Sequence, residues 1–224
     1  EHNTEQTLKA ICRYRVSMER RDEQSRLNDL LFFEKELGQA VTPGKQVLHS
    51  MLAELYWSYF EEHSWQILDR TQVEESPGQM KPKDPATVDT WSANDFYRMV
   101  SYHYSASLKE ANALKEQSVN SISEMIQKGQ HTAKLRPTLF DFLAQRAIDY
   151  YALDENELTQ PTYVFEISDP KAFAPAEIFI QTNFRSVDTL AKKFIVLNLY
   201  REILRFHQQD ADPAAFVDAD LSRL

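Results

Sequence analysis

The chain has 224 residues, a formal net charge of −9 and a sequence pI near 5.2. That balance argues against a nucleic-acid surface, which needs a basic patch, and no apolar run approaches the ~18 residues required to span a membrane. With 4 glycines and one cysteine, Cys12, the composition disfavours sheets and Gly-rich phosphate loops. It also excludes an internal disulfide, a cysteine metal cluster and a Cys-x-x-Cys pair.

Hydrophobic residues at three- and four-residue spacing predict helices along most of the chain. Residues 4–18 place Leu8, Ile11, Cys12, Arg15 and Val16 on one face. Residues 25–37 do the same with Leu27, Leu30, Leu31, Glu34 and Leu37, and Gly38 follows as a C-terminal stop. Thr42-Pro43 reads as an N-cap with proline at the first helical position. It opens the most apolar stretch, residues 46–63, in which Leu48, Met51, Leu52, Leu55, Tyr59 and Phe60 form a face that Val47, Tyr56 and Trp57 widen. A helix so apolar touches neighbours on several sides and is expected to be central.

Residues 72–92 contain Pro77, Gly78, Pro82 and Pro85 and little periodicity, so they read as a long loop. Ser92 with Asp95 resembles a capping box. Phe96, Met99, Val100, His103, Tyr104 and Leu108 continue as a helix. A shorter segment, 118–128, gathers Ile122, Met125 and Ile126 and ends at Gly129. Leu135-Arg136-Pro137-Thr138 leads into a helix bearing Leu139, Phe142, Leu143, Ala147 and Ile148. Residues 159–185, broken by Pro161, Pro170 and Pro175, read as a second long irregular loop, with a helical turn at 175–183. Ser186 is expected to cap the last long helix, which buries Leu190, Phe194, Leu197, Tyr200, Ile203, Leu204 and Phe206. Asp212-Pro213 repeats the cap-plus-proline device before Phe216, Val217, Leu221 and Leu224. That segment is still periodic at Leu224, and the helical array is expected to continue. The architecture expected is all-α: one helical domain over 1–224, built of antiparallel helix pairs stacked as an irregular tetratricopeptide-like solenoid or bundle with two long loops.

Chemistry-bearing residues are sparse. His49 or His103 with Glu54 could supply metal ligands, but one histidine per helix without a same-face carboxylate is the pattern of a hydrogen-bonded core residue. Cys12, with arginines following at 13 and 15, could have a lowered pKa or be a small buried hydrophobe. Glu61-Glu62 and Asp154-Glu155-Glu157 could act as acid and base in a helical-barrel hydrolase, although acidic residues at helix ends generally serve as solvated caps. Trp57, Trp65 and Trp91 either close the base of the first loop together or anchor a partner, and they are the candidate partner contacts. No catalytic residue, metal ligand or cofactor site is expected.

Four stretches carry a resemblance. They are Leu48-His49-Ser50-Met51-Leu52-Ala53-Glu54-Leu55-Tyr56-Trp57; Trp65-Gln66-Ile67-Leu68-Asp69-Arg70-Thr71; Thr90-Trp91 with Phe96; and Leu135-Arg136-Pro137-Thr138-Leu139-Phe140-Asp141-Phe142-Leu143-Ala144-Gln145-Arg146-Ala147. From about Leu8 onward the chain resembles the N-terminal helical region of large bacterial alpha-2-macroglobulin-like proteins. The resemblance implies an exported protein, periplasmic or associated with the outer membrane, whose macroglobulin sandwich domains trap or inhibit proteases. Cys12, followed by Arg13-Tyr14-Arg15, does not match the family's thioester pattern Cys-x-Glu-Gln. The chain is then expected to be a non-enzymatic helical preface to the trap, a scaffold or protein-interaction module. Its partners would be downstream domains of the parent chain, proteases or envelope proteins. A free-standing tetratricopeptide-like module binding peptide or carbohydrate is the alternative. No signal-peptide pattern stands at the start, and the opening at Glu1 fits a trimmed or mature chain as well as a cytoplasmic one.

Overall fold

The computed structural model describes residues 23–69, 83–122, 126, 129, 131–153, 165–187 and 191–224. Among them the chain is all-α, with no strand and a single antiparallel bridge, Ser118 with Thr138. It divides into two compact units, Glu1–Ala113 and Leu114–Leu224. The helix expected over 4–18, with Cys12, lies outside the described residues.

In the first unit α1 (Glu23–Leu37), α2 (Gly44–Leu68) and α3 (Ala93–Ser107) surround an aromatic core. The apolar width read in 46–63 is used in full: Val47, Leu48, Met51, Leu52, Leu55, Tyr56, Trp57, Tyr59 and Phe60 are all buried. Pairings between α2 and α3 run in opposite directions, His49 with His103, Trp57 with Tyr97 and Phe60 with Phe96, so the two helices are antiparallel. Trp91 stacks on Tyr56 at 5.4 Å and meets Phe96 at 5.2 Å. Each such buried ring contributes roughly 1.5–3 kcal/mol through the area it removes from water.

Local signals decide where these helices begin and end. Gly38 follows α1 directly, its N–H donating to the Glu34 carbonyl. The Ser92–Asp95 capping box forms as predicted: each side chain satisfies the other's backbone N–H. Thr42 does not cap α2. Its hydroxyl donates to Glu110 Oε2 at 2.9 Å, and the helix starts at Gly44 after Pro43 with no side-chain cap. The loop expected over 72–92 is corrected at its end. Residues 70–82 lie outside the described ones, but Pro85–Thr90 is a 3-10 helix, opened by Asp84 accepting from the Ala86 N–H and anchored by buried Val88.

After α4 (Ala111–Glu116) and a 3-10 turn at Val119–Ile122 come α5 (Thr132–Leu135), α6 (Leu139–Tyr151), a 3-10 turn at Pro170–Phe173, α7 (Ala176–Gln181), α8 (Lys192–His207) and α9 (Ala214–Ser222). Within the second unit α8 is the hub, contacted by α6, α7 and α9. Asp141 of α6 meets His207 of α8, and Phe140 meets Phe206. The segment 118–128 is helical only over its first residues among those described. The loop expected over 159–185 contains α7, where a helical turn was expected, and the second 3-10 turn; residues 154–164 lie outside the described set. Ser186 does not cap α8, which begins at Lys192 after Ala191. Asp212 accepts from the Ala214 N–H at 3.0 Å and so marks the start of α9 as expected. The short helices α4 and α5 have too few turns to show periodicity, and the sequence reading passed over both.

Candidate functional site

Polar groups inside the first unit converge on Glu34. This carboxylate interrupts the apolar face of α1, and the helix packing presents it to α2 and α3. Tyr56 donates its hydroxyl to Glu34 Oε1 at 2.8 Å, and His103 Nε2 lies 3.3 Å from the same oxygen. His103 Nδ1 meets His49 Nδ1 at 3.0 Å. His103 is almost fully covered, and its ring stacks on Tyr56 at 5.5 Å. Burial alone would raise the Glu34 pKa; the His103 hydrogen bond and charge, with the Tyr56 hydroxyl, outweigh it and leave it lowered. For His49 burial and the neighbouring His103 charge act together, and its pKa falls to about 3. Burial, reinforced by Glu34, pushes the Tyr56 hydroxyl well above the ordinary phenol value.

A second polar centre sits in the other unit. His207, at the end of α8, places Nε2 2.9 Å from Asp141 Oδ1 and Nδ1 2.6 Å from Asp210 Oδ2. Asp141 already completes a capping box with Thr138 at the start of α6. Its second oxygen, Oδ1, is left to face the histidine. Burial pulls the His207 pKa down, but the hydrogen bonds to Asp141 and Asp210 outweigh it and leave it raised. Both ring nitrogens face carboxylate oxygens, which only accept, so the arrangement favours the doubly protonated ring with each N–H donating.

The structure places the Glu34 carboxylate against His103, a pairing the sequence analysis did not consider. Among the described residues no group of three or more His, Cys, Asp or Glu side chains is disposed to hold a metal ion. Glu61 and Glu62 lie at the surface of α2, where Glu62 pairs with Arg26. Cys12, Asp154, Glu155 and Glu157 lie outside the described residues. Two of the three tryptophans considered as partner contacts, Trp57 and Trp91, are core residues, while Trp65 is 70% exposed and stands apart from them.

Exposure concentrates elsewhere too. On α9 and just past its end, Val217, Leu221 and Leu224 are 48%, 69% and 64% exposed, while Phe216 is half-buried and Ala215 and Ala219 face the unit. The four-residue spacing puts Val217 and Leu221 on one face of α9, and Leu224 follows just past its end. Sequence reading named this edge. It missed Asp141 and His207, although Thr138-x-x-Asp141 is a capping-box pattern and His207 ends an apolar helical face.

Among the described residues no helix is long and apolar enough to cross a membrane. No family model, curated protein or solved structure matches the chain.

Proposed function

We propose that the chain is a non-catalytic helical scaffold and protein-interaction module. The observation that carries this reading is the apolar edge Val217, Leu221 and Leu224, three large side chains left in water on α9 and just past its end. Isolated exposed apolar residues are ordinary, but an apolar edge marks a surface that another element covers. The buried polar groups support the same reading: the ring nitrogens of His103 and His207 are committed to internal partners, which knits helices together.

The finer architecture belongs to this proposal. Antiparallel α2 and α3, together with α8 on α9, are helix pairs of the kind a tetratricopeptide-like solenoid stacks. The larger context, an exported alpha-2-macroglobulin-like parent that traps proteases, rests on the four sequence stretches alone. In that setting the edge packs on the parent's downstream domains.

Two measurements test the proposal. Reading the native gene beyond Leu224 is expected to reveal alternating-hydrophobic sandwich domains; a stop within a few dozen codons removes the macroglobulin reading. In that event the free-standing peptide- or carbohydrate-binding module takes its place, with exposed Trp65 as the ring to test first. The downstream segment is then titrated into the chain by calorimetry. Replacing both Leu221 and Leu224 by Asp is expected to weaken association by tenfold or more, about 1.4 kcal/mol, with stability changed by no more than about 0.5 kcal/mol. Unchanged affinity in the double variant would remove the edge as the interface.

A further inference from the structure

The contact between His49 and His103 limits how many protons the pair can hold. The two rings face each other through the same atom, Nδ1 to Nδ1 at 3.0 Å, and a hydrogen bond there contains one proton. His103 keeps a second proton on Nε2, because the Glu34 carboxylate beside it only accepts. In the neutral pair His49 therefore donates from Nδ1 to His103 Nδ1. One added proton makes His103 an imidazolium paired with Glu34, and the bond reverses: His103 Nδ1–H donates to His49, whose own proton now sits on Nε2. A second added proton puts two N–H groups and two positive charges face to face in the core, and the contact cannot survive it.

We propose that Glu34, His103 and His49 form an acid-release clasp, which takes one proton with α2 and α3 still in place and parts them on the second. The surroundings favour release once the pair is doubly charged. Lys45 at the start of α2 and Lys109 just beyond α3 act on His49 with the same sign, and Glu34 of α1 opposes them. Tyr102 packs edge-on against His49 and Tyr56 stacks on His103. Asp84, ahead of the 3-10 turn, acts on Tyr56. Burial together with these charges holds His49 at about 3, so the second proton arrives only in acid. Release reaches the core through Tyr56, which bonds the same Glu34 oxygen and stacks on Trp91.

All three tryptophans lie in the first unit, so fluorescence of the full chain reports its opening directly. Nitrogen-15 imidazole spectra of the wild-type chain, recorded through the same acid titration, count protons on each ring. The first protonation of the pair is expected to leave the fluorescence unchanged, and the second is expected to coincide with its transition. His49→Gln hydrogen-bonds but takes no proton, and is expected to lower the transition midpoint by about one pH unit or more. The clasp is overturned if both rings become doubly protonated while the tryptophan signal stays native. It is equally overturned if the fluorescence transition precedes the second proton, or if a natively folded His49→Gln opens at the wild-type midpoint. Should that variant not fold at neutral pH, the wild-type coincidence decides alone.

Discussion

At His207 two carboxylates converge on one buried ring, and the consequence for stability has a definite sign. Its folded pKa lies above the ordinary value of 6.5. Its contribution is therefore complete below pH 6.5 and is lost as pH rises through the raised folded value. His49 works the other way: with a folded pKa near 3 it takes no proton where the unfolded chain does, so the first unit loses stability as pH falls from 6.5 towards 3. The lowered Glu34 adds to that acid loss below 4.5. Urea unfolding followed at the buried Leu139 and Leu204 methyls is expected to show the second unit weakening with rising pH. His207→Ala is expected to cost about 3 kcal/mol near pH 6, because it leaves the buried Asp141 Oδ1 without that partner. A pH-independent midpoint at those methyls would mean that His207 is not charged in the fold. At this scale the residue types were legible in the sequence and their partners were not. Glu34 stood out as a carboxylate on an apolar face, but whether it meets His103 or solvent depends on how α3 packs against α1 and α2.

Helix boundaries illustrate which local signals succeed. Ser92 and Asp95 sit three residues apart and close a capping box through Asp95 Oδ2, while Lys83 pairs with Oδ1. The Asp95 carboxyl is raised by burial, but Lys83 and Ser92 overcome this and leave it lowered. Thr42 offered the same chemistry and was drawn instead to Glu110, a residue 68 positions away. Such a competition is invisible to any local window. Ser92→Ala is expected to destabilise the first unit by about 1 kcal/mol, through loss of the cap at α3. Thr42→Ala should cost less, because its hydroxyl bond is solvent-exposed. Equal urea midpoints for the two variants would show that the capping box contributes nothing beyond a surface hydrogen bond. Elsewhere, arginines hold the segment around α7 by donating to backbone carbonyls: Arg201 to Thr182, Arg205 to Ile180, and Arg223 to Ala172 and Ala174. This long-range satisfaction of carbonyls gives order to a proline-broken stretch that reads as loop by composition.

For the whole molecule, the division after Ala113 makes a calorimetric prediction. The full chain is expected to melt in two transitions, one for residues 1–113 and one for 114–224, each with its own pH dependence. One transition with equal calorimetric and van't Hoff enthalpies would favour instead the single helical domain expected over 1–224. What the sequence determined by itself was the class of structure. Helical periodicity, scarce glycine and abundant aromatic residues leave an all-α chain whose central helix is the stretch beginning near Gly44, because repeat distance and side-chain volume are local properties. The apolar edge at Val217, Leu221 and Leu224 was also readable, since a single helix displays its own stripe. Tertiary structure alone decided that Trp57 and Trp91 are core while Trp65 faces water, that Glu34 meets His103, and that His207 is held between Asp141 and Asp210. Burial and pairing are properties of the space between helices, and they depend on packing among residues tens of positions apart, which no spacing rule along one helix contains.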